Sequence, residues 1–395
     1  KPQLDSRRLD GRHNGDKTST VGFCRKTRGH YQPECGEGII RRGFTLQCYQ
    51  TGTFCSLCIC TFPSVWNEAY RAYQLSLEFK PMDMGNVMHE ALESFAEEVR
   101  KRGMKWTELT EQERNEIADR CLDNIVADYG NTVLKSSARN EYMIERTRRI
   151  LRRTVWALQK QLEQGEFQPE GFEVTFGGGR IDRVDIMEDQ NKVYVKVIDY
   201  KTGNTSFDLV YLYHGLQLQL MIYLDGALRV EQKKYPDKEI IPAGVFYYNI
   251  KDPMIQEKID ADVEAVSAGL MKELKMNGLV QADPELVYRM DSSLGSIPVA
   301  FNKDGSFRKN SSVADRTQFA VLGRYVRTKI EKIRSSILEG DAEVSPYELG
   351  KKNACTYCPY MTVCGFDRRL SGYEFRRLKN FSDEELWKAF DREAE

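Results

Sequence analysis

Asp182, Asp199 and Lys201 have the types and spacing that could do chemistry together. Asp182 lies in GGRIDRVD, and Asp199 and Lys201 lie in VIDYKTG. The spacing of two in Asp199-Tyr200-Lys201 puts both charged side chains on one face of a strand. Asp182 belongs to the preceding strand, at a separation compatible with a hairpin. Two carboxylates and a lysine gathered at strand ends are costly unless something uses them. A hard cation between the carboxylates removes that cost, and Mg²⁺ prefers carboxylate and carbonyl oxygens. The lysine would then orient or help deprotonate an attacking water and offset charge on a phosphate. A lone D-x-K is more simply a surface salt bridge. Here the apolar run Val195–Ile198 leads directly into it and Gly203 ends the strand, which favours the site.

His89 is one of only four histidines. It sits inside a helical pattern beside Glu90, at the edge of the apolar stripe. It reads either as a structural histidine or as a third metal ligand, in which case it suits Mn²⁺ better than Mg²⁺. Gln219 and Tyr223 are four apart on a helix and share a face. The ten cysteines are unevenly placed. Cys24, Cys35, Cys48, Cys55, Cys58 and Cys60 lie upstream, and Cys121 stands alone as a helix core residue. Cys355-x2-Cys358-x5-Cys364 is a tight triplet of the kind that holds a metal or cluster in a reducing compartment.

The surrounding elements are legible. GNVMHEALESFAEEVRKRG places Val87, Met88, Ala91, Leu92, Phe95 and Val99 on one helical face from Gly85. Thr110 opens TEQE, a capping box that starts a second helix running to about Tyr129. A third helix runs from about Asn140 to Glu163, with Ile144, Ile150, Leu151, Val155 and Leu158 as its stripe. Its outer face carries Arg146, Arg148, Arg149, Arg152 and Arg153, read as a solvated face or a DNA-backbone contact. FEVTFG, GGRIDRVDIME and KVYVKVIDY are strands, with a turn at Asp189-Gln190-Asn191. A helix GLQLQLMIYLDGAL, a strand IPAGVFYYNI and a helix from about Thr317 to Leu338 follow. The order of elements argues for an α/β or α+β fold rather than a bundle.

The composition narrows the classes. With 58 Lys+Arg against 59 Asp+Glu, there is no global basic signal, so any nucleic-acid contact must use a local patch. No apolar run approaches the roughly 18–20 residues of a membrane span, and no signal-peptide pattern is read at the start. Residues 1–78 and 79–395 differ in texture. The first part is rich in Gly, Cys, Arg and Thr and lacks periodicity, with 11 Lys+Arg against 7 Asp+Glu.

GNVMHEAL, GRIDRVD, VIDYKTG and GLQLQLMIYLDGAL, in that order, resemble the RecB-type nucleases of the PD-(D/E)xK superfamily. The resemblance is strongest to the C-terminal nuclease domains of the AddB family and covers about residues 79–370. It implies an α/β nuclease core, a mixed central sheet flanked by helices, with helical insertions and a C-terminal iron–sulfur staple. It also implies that His89, Asp182, Asp199 and the Tyr200 backbone carbonyl hold the metal, with Lys201 as the catalytic lysine. Gln219 and Tyr223 match a QxxxY motif that helps place DNA and the site. Cys355, Cys358 and Cys364 would hold three corners of a [4Fe–4S] cluster, with a zinc site as the alternative.

The family's fourth cysteine lies just before the first nuclease helix. The chain instead has FCSLCICTFPSVWNEAYRAYQL there, and Cys58 is the nearest substitute. Shifting the reading frame by one nucleotide between Glu37 and about Gln74, with permissible codons, gives a continuous match to the family. Residues 1 to about 75 are accordingly read as a frameshift product, and 1–78 as an aberrant or linker segment without a native fold.

The implied function is a Mg²⁺- or Mn²⁺-dependent DNA exonuclease domain, acting on a single strand from unwound duplex in double-strand-break processing. No GxxxxGK[ST] P-loop is present, so the motor lies elsewhere, in a preceding region or in an AddA-type helicase–nuclease partner forming a heterodimer. The expected location is the bacterial cytoplasm, away from membranes. The alternatives are an iron–sulfur nuclease of CRISPR adaptation, or a catalytically inactive DNA-binding scaffold.

Overall fold

The computed structural model describes residues 81–128, 137–177, 179–255 and 262–394. Cys58, the seam near residue 78 and the segment read as frameshifted lie outside the described residues.

Among the described residues three helices come first: α1 (Pro81–Lys101), α2 (Glu111–Asp128) and α3 (Ala138–Glu163). The α1 stripe expected from Val87 to Val99 is buried throughout, and the helix is described from Pro81, four residues before Gly85. The Thr110 capping box forms as expected. The Thr110 N–H donates to Glu113 Oε2 at 3.0 Å, and the Glu113 N–H donates to Thr110 Oγ1 at 3.3 Å. Helix α3 starts two residues before Asn140, because the Ser137 side chain caps it by accepting the Asn140 N–H. Cys121 is buried on α2.

The chain then builds the sheet with β1 (Gln168–Phe176), β2 (Gly179–Asp189) and β3 (Lys192–Lys201). Two helices, α4 (Leu209–Tyr213) and α5 (Gln219–Lys234), precede β4 (Glu239–Asn249). Next come α6 (Val263–Glu273), β5 (Asn277–Gln281), α7 (Pro284–Met290), β6 (Val313–Ala314) and α8 (Arg316–Leu338). A small sheet of β7 (Tyr347–Leu349), β8 (Lys352–Asn353) and β9 (Arg376–Arg377) frames the short α9 (Met361–Cys364), and α10 (Asp383–Ala394) follows.

Among the described residues the main sheet has six strands in sequence order β1 to β6. It is mixed: β1–β2, β2–β3 and β4–β5 are antiparallel, while β3–β4 and β5–β6 are parallel. Period-two alternation along β3 buries both faces. Tyr194, Ile198 and Tyr200 pack with α1–α3 and α7, whereas Val193, Val195 and Val197 pack with α5, α8 and α10. Burial of an apolar side chain of this size contributes roughly 1.5–3 kcal/mol, so two-sided burial pins the register of β3. The sheet with a helical layer on each face is the expected mixed α/β architecture.

One expected element is corrected. GLQLQLMIYLDGAL is not a continuous helix: α5 begins at Gln219 and runs on to Lys234. Gly215 has φ +78° and closes α4, with its N–H donating to the Leu212 carbonyl at 2.9 Å. Glycine favours this left-handed position because it has no Cβ. Gln217 then folds back, accepting the Asp208 N–H at 3.0 Å and donating to the Ser206 carbonyl at 2.8 Å. The break makes Gln219 the first residue of α5.

Candidate active site

The ends of β2 and β3 carry the site, at the edge where α1 of one layer and α5 of the other meet the sheet. Arg183 pairs with Ile198 across β2 and β3. One step further in that register, Asp182 stands beside Asp199. Both carboxylates are buried. The Tyr200 N–H donates to Asp182 Oδ2 at 2.7 Å, so the carboxylate takes the place of a backbone acceptor at the strand end. Lys201 Nζ lies 2.7 Å from Asp199 Oδ2 and donates to Gln219 Oε1 at 2.9 Å. The Gln219 amide donates in turn to the Tyr223 hydroxyl at 2.8 Å.

His89 reaches this group from α1. Its Nε2 is 3.1 Å from the Tyr200 carbonyl oxygen, and its Nδ1 is 3.4 Å from Asp182 Oδ2. The structure thus brings together every residue expected at the metal site: His89, Asp182, Asp199, Lys201 and the Tyr200 carbonyl, with Gln219 and Tyr223 behind the lysine.

Glu173 joins them although no sequence motif singles it out. Phe172 pairs with Arg183 and Val174 with Ile181, so Glu173 stands opposite Asp182 on β1. It has φ +49°, rare in a strand residue with a side chain. Its Oε1 lies 3.8 Å from His89 Nδ1, and its other oxygen pairs with Arg180. His89, Glu173 and Asp182 each offer a ligand atom within 4.8 Å of the others. The available signal is a glutamate in FEVTF, but only the β1–β2 register distinguishes it from any exposed strand residue.

The electrostatics are those of crowded carboxylates. Burial and the neighbouring Asp182 charge push the Asp199 carboxyl up to about 7, against the opposing pull of Lys201. Burial alone would lower His89, but hydrogen bonding to Asp182 and Glu173 outweighs it and raises the imidazole to about 10. Burial also pushes the Tyr223 hydroxyl well above its usual range, so it stays protonated and neutral.

A buried ion cluster supports the site on the opposite face of the sheet. Arg183 grips Asp185 through two hydrogen bonds, at 2.5 Å and 2.9 Å, and Lys196 Nζ lies 2.9 Å from the same carboxylate. The Arg183 guanidinium also lies over the Trp106 and Phe172 rings. This accounts for the charge inside the apolar run of β3, since a buried charge needs a partner.

The outer face of α3 is salt-bridged in the manner of a solvated face. Arg148 pairs with Asp123 at 2.7 Å, Arg149 with Asp252 at 2.6 Å, and Arg152 with Asp119.

Cys355, Cys358 and Cys364 converge on a second cavity of about 260 Å³, which Phe366 and Phe375 also line. All three are free and half-buried. The Phe366 N–H points at Cys364 Sγ from 3.4 Å, past Gly365 with φ +69°. Burial and the two neighbouring thiols push the Cys355 thiol up.

The donor set of the main site is an imidazole nitrogen, three carboxylates and a backbone carbonyl. That set fits a divalent cation such as Mg²⁺ or Mn²⁺.

Comparison with known proteins agrees with this chemistry. The PD-(D/E)XK nuclease superfamily matches residues 65–365. The chain is 40% identical to the B-type subunit of the ATP-dependent helicase/deoxyribonuclease of Lachnoclostridium phytofermentans over 351 residues, covering 83% of this chain and 30% of that protein. It is 34% identical to the same-named protein of a Thermoanaerobacter species over 340 residues, covering 80% of this chain and 29% of the relative. It is 35% identical to that of Clostridium acetobutylicum over 337 residues, covering 79% and 29%. The chain thus spans about 30% of the length of the curated relatives it matches. A sheet edge carrying Asp182, Asp199 and Lys201, and a family match over most of its residues, place this chain in the PD-(D/E)XK nuclease superfamily.

Proposed function

We infer that this chain hydrolyses DNA phosphodiester bonds with the help of Mg²⁺ or Mn²⁺, as the nuclease part of an AddAB-type helicase–nuclease. The observation that carries the reading is the convergence of His89, Glu173 and Asp182, with Lys201 held 2.7 Å from Asp199 at the end of the neighbouring strand. A divalent cation held by His89, Asp182, Asp199 and the Tyr200 carbonyl, with Glu173 alongside, would supply Lewis acidity toward the phosphate and a water of lowered pKa. Lys201 keeps one cationic N–H donor at the site where charge builds on the phosphate. Gln219 and Tyr223 hold that lysine in place and keep it from folding onto the carboxylates alone. Asp199 orients Lys201 by its charge.

The substrate in this reading is a single DNA strand delivered from unwound duplex, and the partner is an AddA-type helicase–nuclease. The relatives' name, as part of a helicase/deoxyribonuclease, supports both. The setting is the bacterial cytoplasm, in double-strand-break processing. Among the described residues no helix is long and apolar enough to cross a membrane.

Cys355, Cys358 and Cys364 are read as three ligands of a [4Fe–4S] cluster, supported by their common cavity and the Phe366 N–H directed at sulfur. Iron and sulfide bound to anaerobically purified protein, lost in Cys364→Ser, is the expected result. Zinc in place of iron would overturn it.

The deciding experiment is degradation of linear DNA by the folded chain with Mg²⁺. Hydrolysis is expected, together with its loss in Asp199→Ala while DNA binding persists. A folded protein that binds Mg²⁺ and DNA but cuts nothing would overturn the reading in favour of a scaffold.

A further inference from the structure

Two cations stand beside the carboxylates on the same two strands, Arg180 against Glu173 and Lys201 against Asp199. Across β2 and β3, Arg183 lies opposite Ile198. The backbone ladder between the two strands ends there, and Asp182 and Arg180 on β2, like Asp199 and Lys201 on β3, lie beyond its last pair. On the other side, β1 and β2 pair Thr175 with Arg180. Arg180 and Asp182 are two apart on β2 and project from one face, as do Asp199 and Lys201 on β3. The sheet edge therefore carries a row of three acids, Glu173, Asp182 and Asp199. Arg180 lies two residues from Asp182 toward the β1–β2 hairpin, and Lys201 two residues beyond Asp199 at the end of β3.

The two cations differ in their freedom. Lys201 is engaged by Asp199 and Gln219, and its side chain is 27% exposed. Arg180 is 60% exposed, and among the described residues its ion-pair partner is Glu173. Glu173 uses one oxygen for Arg180 and turns the other toward His89. Arg180 thus stands one carboxylate away from the cation site, on its outer rim.

The hairpin beside it is built from glycine. Gly177 has φ +43°, and a Cβ placed there would meet nothing within 4 Å. A phosphodiester entering the site faces three carboxylates. A guanidinium fork at the rim is suited to receive it, because it binds phosphate oxygens bidentately and remains charged.

We propose that Arg180 binds a backbone phosphate of the DNA strand next to the reacting bond, moving from Glu173 to the phosphate as Glu173 turns to the cation. This rests on the reading of the site as a DNA phosphodiesterase. The alternative is an ion pair whose whole role is to neutralise the buried Glu173 carboxylate.

The test uses the full chain with Arg180→Ala and Arg180→Lys, each first shown by circular dichroism to fold as the parent does. Three quantities are read: Mg²⁺ binding without DNA by calorimetry, affinity for a single-stranded oligonucleotide in Ca²⁺ with the strand checked to be intact, and its salt dependence. For Arg180→Ala the expected result is DNA binding about tenfold weaker, with the slope of log K against log[salt] shallower by about 0.7, the value of one single-strand phosphate contact. Mg²⁺ affinity should be equal or tighter, since Glu173 is released. Arg180→Lys should keep the salt slope and recover part of the affinity. Unchanged DNA affinity and slope in Arg180→Ala overturns the proposal. A loss of Mg²⁺ affinity as large as the loss of DNA affinity also overturns it, because Arg180 would then act only by orienting Glu173. If the parent chain cuts no DNA while binding still depends on Arg180, the phosphodiesterase reading falls and the phosphate contact stands.

Discussion

Lys201 Nζ donates to Gln219 Oε1 at 2.9 Å, across the gap between the end of β3 and the first residue of α5. This bond ties the lysine to a helix whose start is set by the Gly215 turn. Gln219 also donates to Tyr223 one turn along the same helix, so its amide cannot rotate without breaking one bond or the other. The lysine is held by two partners on two elements, and a group held this way loses little freedom when a substrate arrives.

Removing the amide should therefore loosen the lysine without removing it. In Gln219→Ala, the cleavage rate on saturating DNA should fall about tenfold, about 1.4 kcal/mol of transition-state stabilisation, with little change in KM. Single-turnover cleavage measures this. A rate equal to that of the parent would mean that Asp199 alone suffices to hold Lys201.

Register position and backbone conformation bring Glu173 to His89 and Asp182, and in the proposed site it would help to hold the cation. Glu173→Gln keeps the shape and removes the charge, so Mg²⁺ binding in calorimetry should weaken about tenfold, or about 1.4 kcal/mol. Affinity unchanged within a factor of two would remove Glu173 from the ligand set.

The pH dependence of stability follows from two raised groups. Asp199 rises from 3.8 to about 7, and His89 from 6.5 to about 10. Both bind protons more tightly in the folded chain, so stability falls as pH rises through these windows. The Asp199 contribution is complete below about pH 4 and is lost as pH passes about 7. The His89 contribution is complete below about pH 6.5 and is lost as pH passes about 10. Without divalent ions, Tm should decline from mildly acidic to alkaline pH. Metal ligation requires the deprotonated forms, so the rise in Tm on adding Mg²⁺ should grow with pH. A Mg²⁺ effect that shrinks as pH rises would contradict both assignments.

Gly215 carries the turn that sets Gln219 in place. At φ +78° an alanine Cβ is strained, costing about 1–2 kcal/mol, while it would meet Lys329 Cε at 3.4 Å only in ordinary contact. Urea denaturation of Gly215→Ala should show that loss, and Gly215→Asn should lose less, because asparagine tolerates the left-handed region. Equal stability in all three proteins would show that the α4–α5 turn relaxes freely.

The sequence by itself determined the elements whose periodicity is local and the residues that sit at marked places on them. The stripe from Val87 to Val99 could only be a helix face. The apolar run ahead of Asp199-Tyr200-Lys201 could only be a buried strand end. Thr110 with Glu113 marked a helix start, and the three late cysteines marked a shared pocket. These signals lie within a few residues of chain, where side-chain period and capping chemistry are legible. Tertiary structure decided the rest. Glu173 belongs to the site because β1 pairs with β2 so that it faces Asp182, and because its backbone takes a positive φ there. Arg180 joins the rim of the site through its ion pair with Glu173, a contact between neighbouring strands that no local pattern marks. His89 was a candidate in the sequence, and the packing of α1 brought its ring to the Tyr200 carbonyl. The break at Gly215 contradicted a pattern that looked helical throughout, because a left-handed turn closed by neighbouring backbone groups outweighed local periodicity. Register and packing are set by contacts between residues far apart in the chain, and the type of a single residue carries no record of which partner will stand across from it.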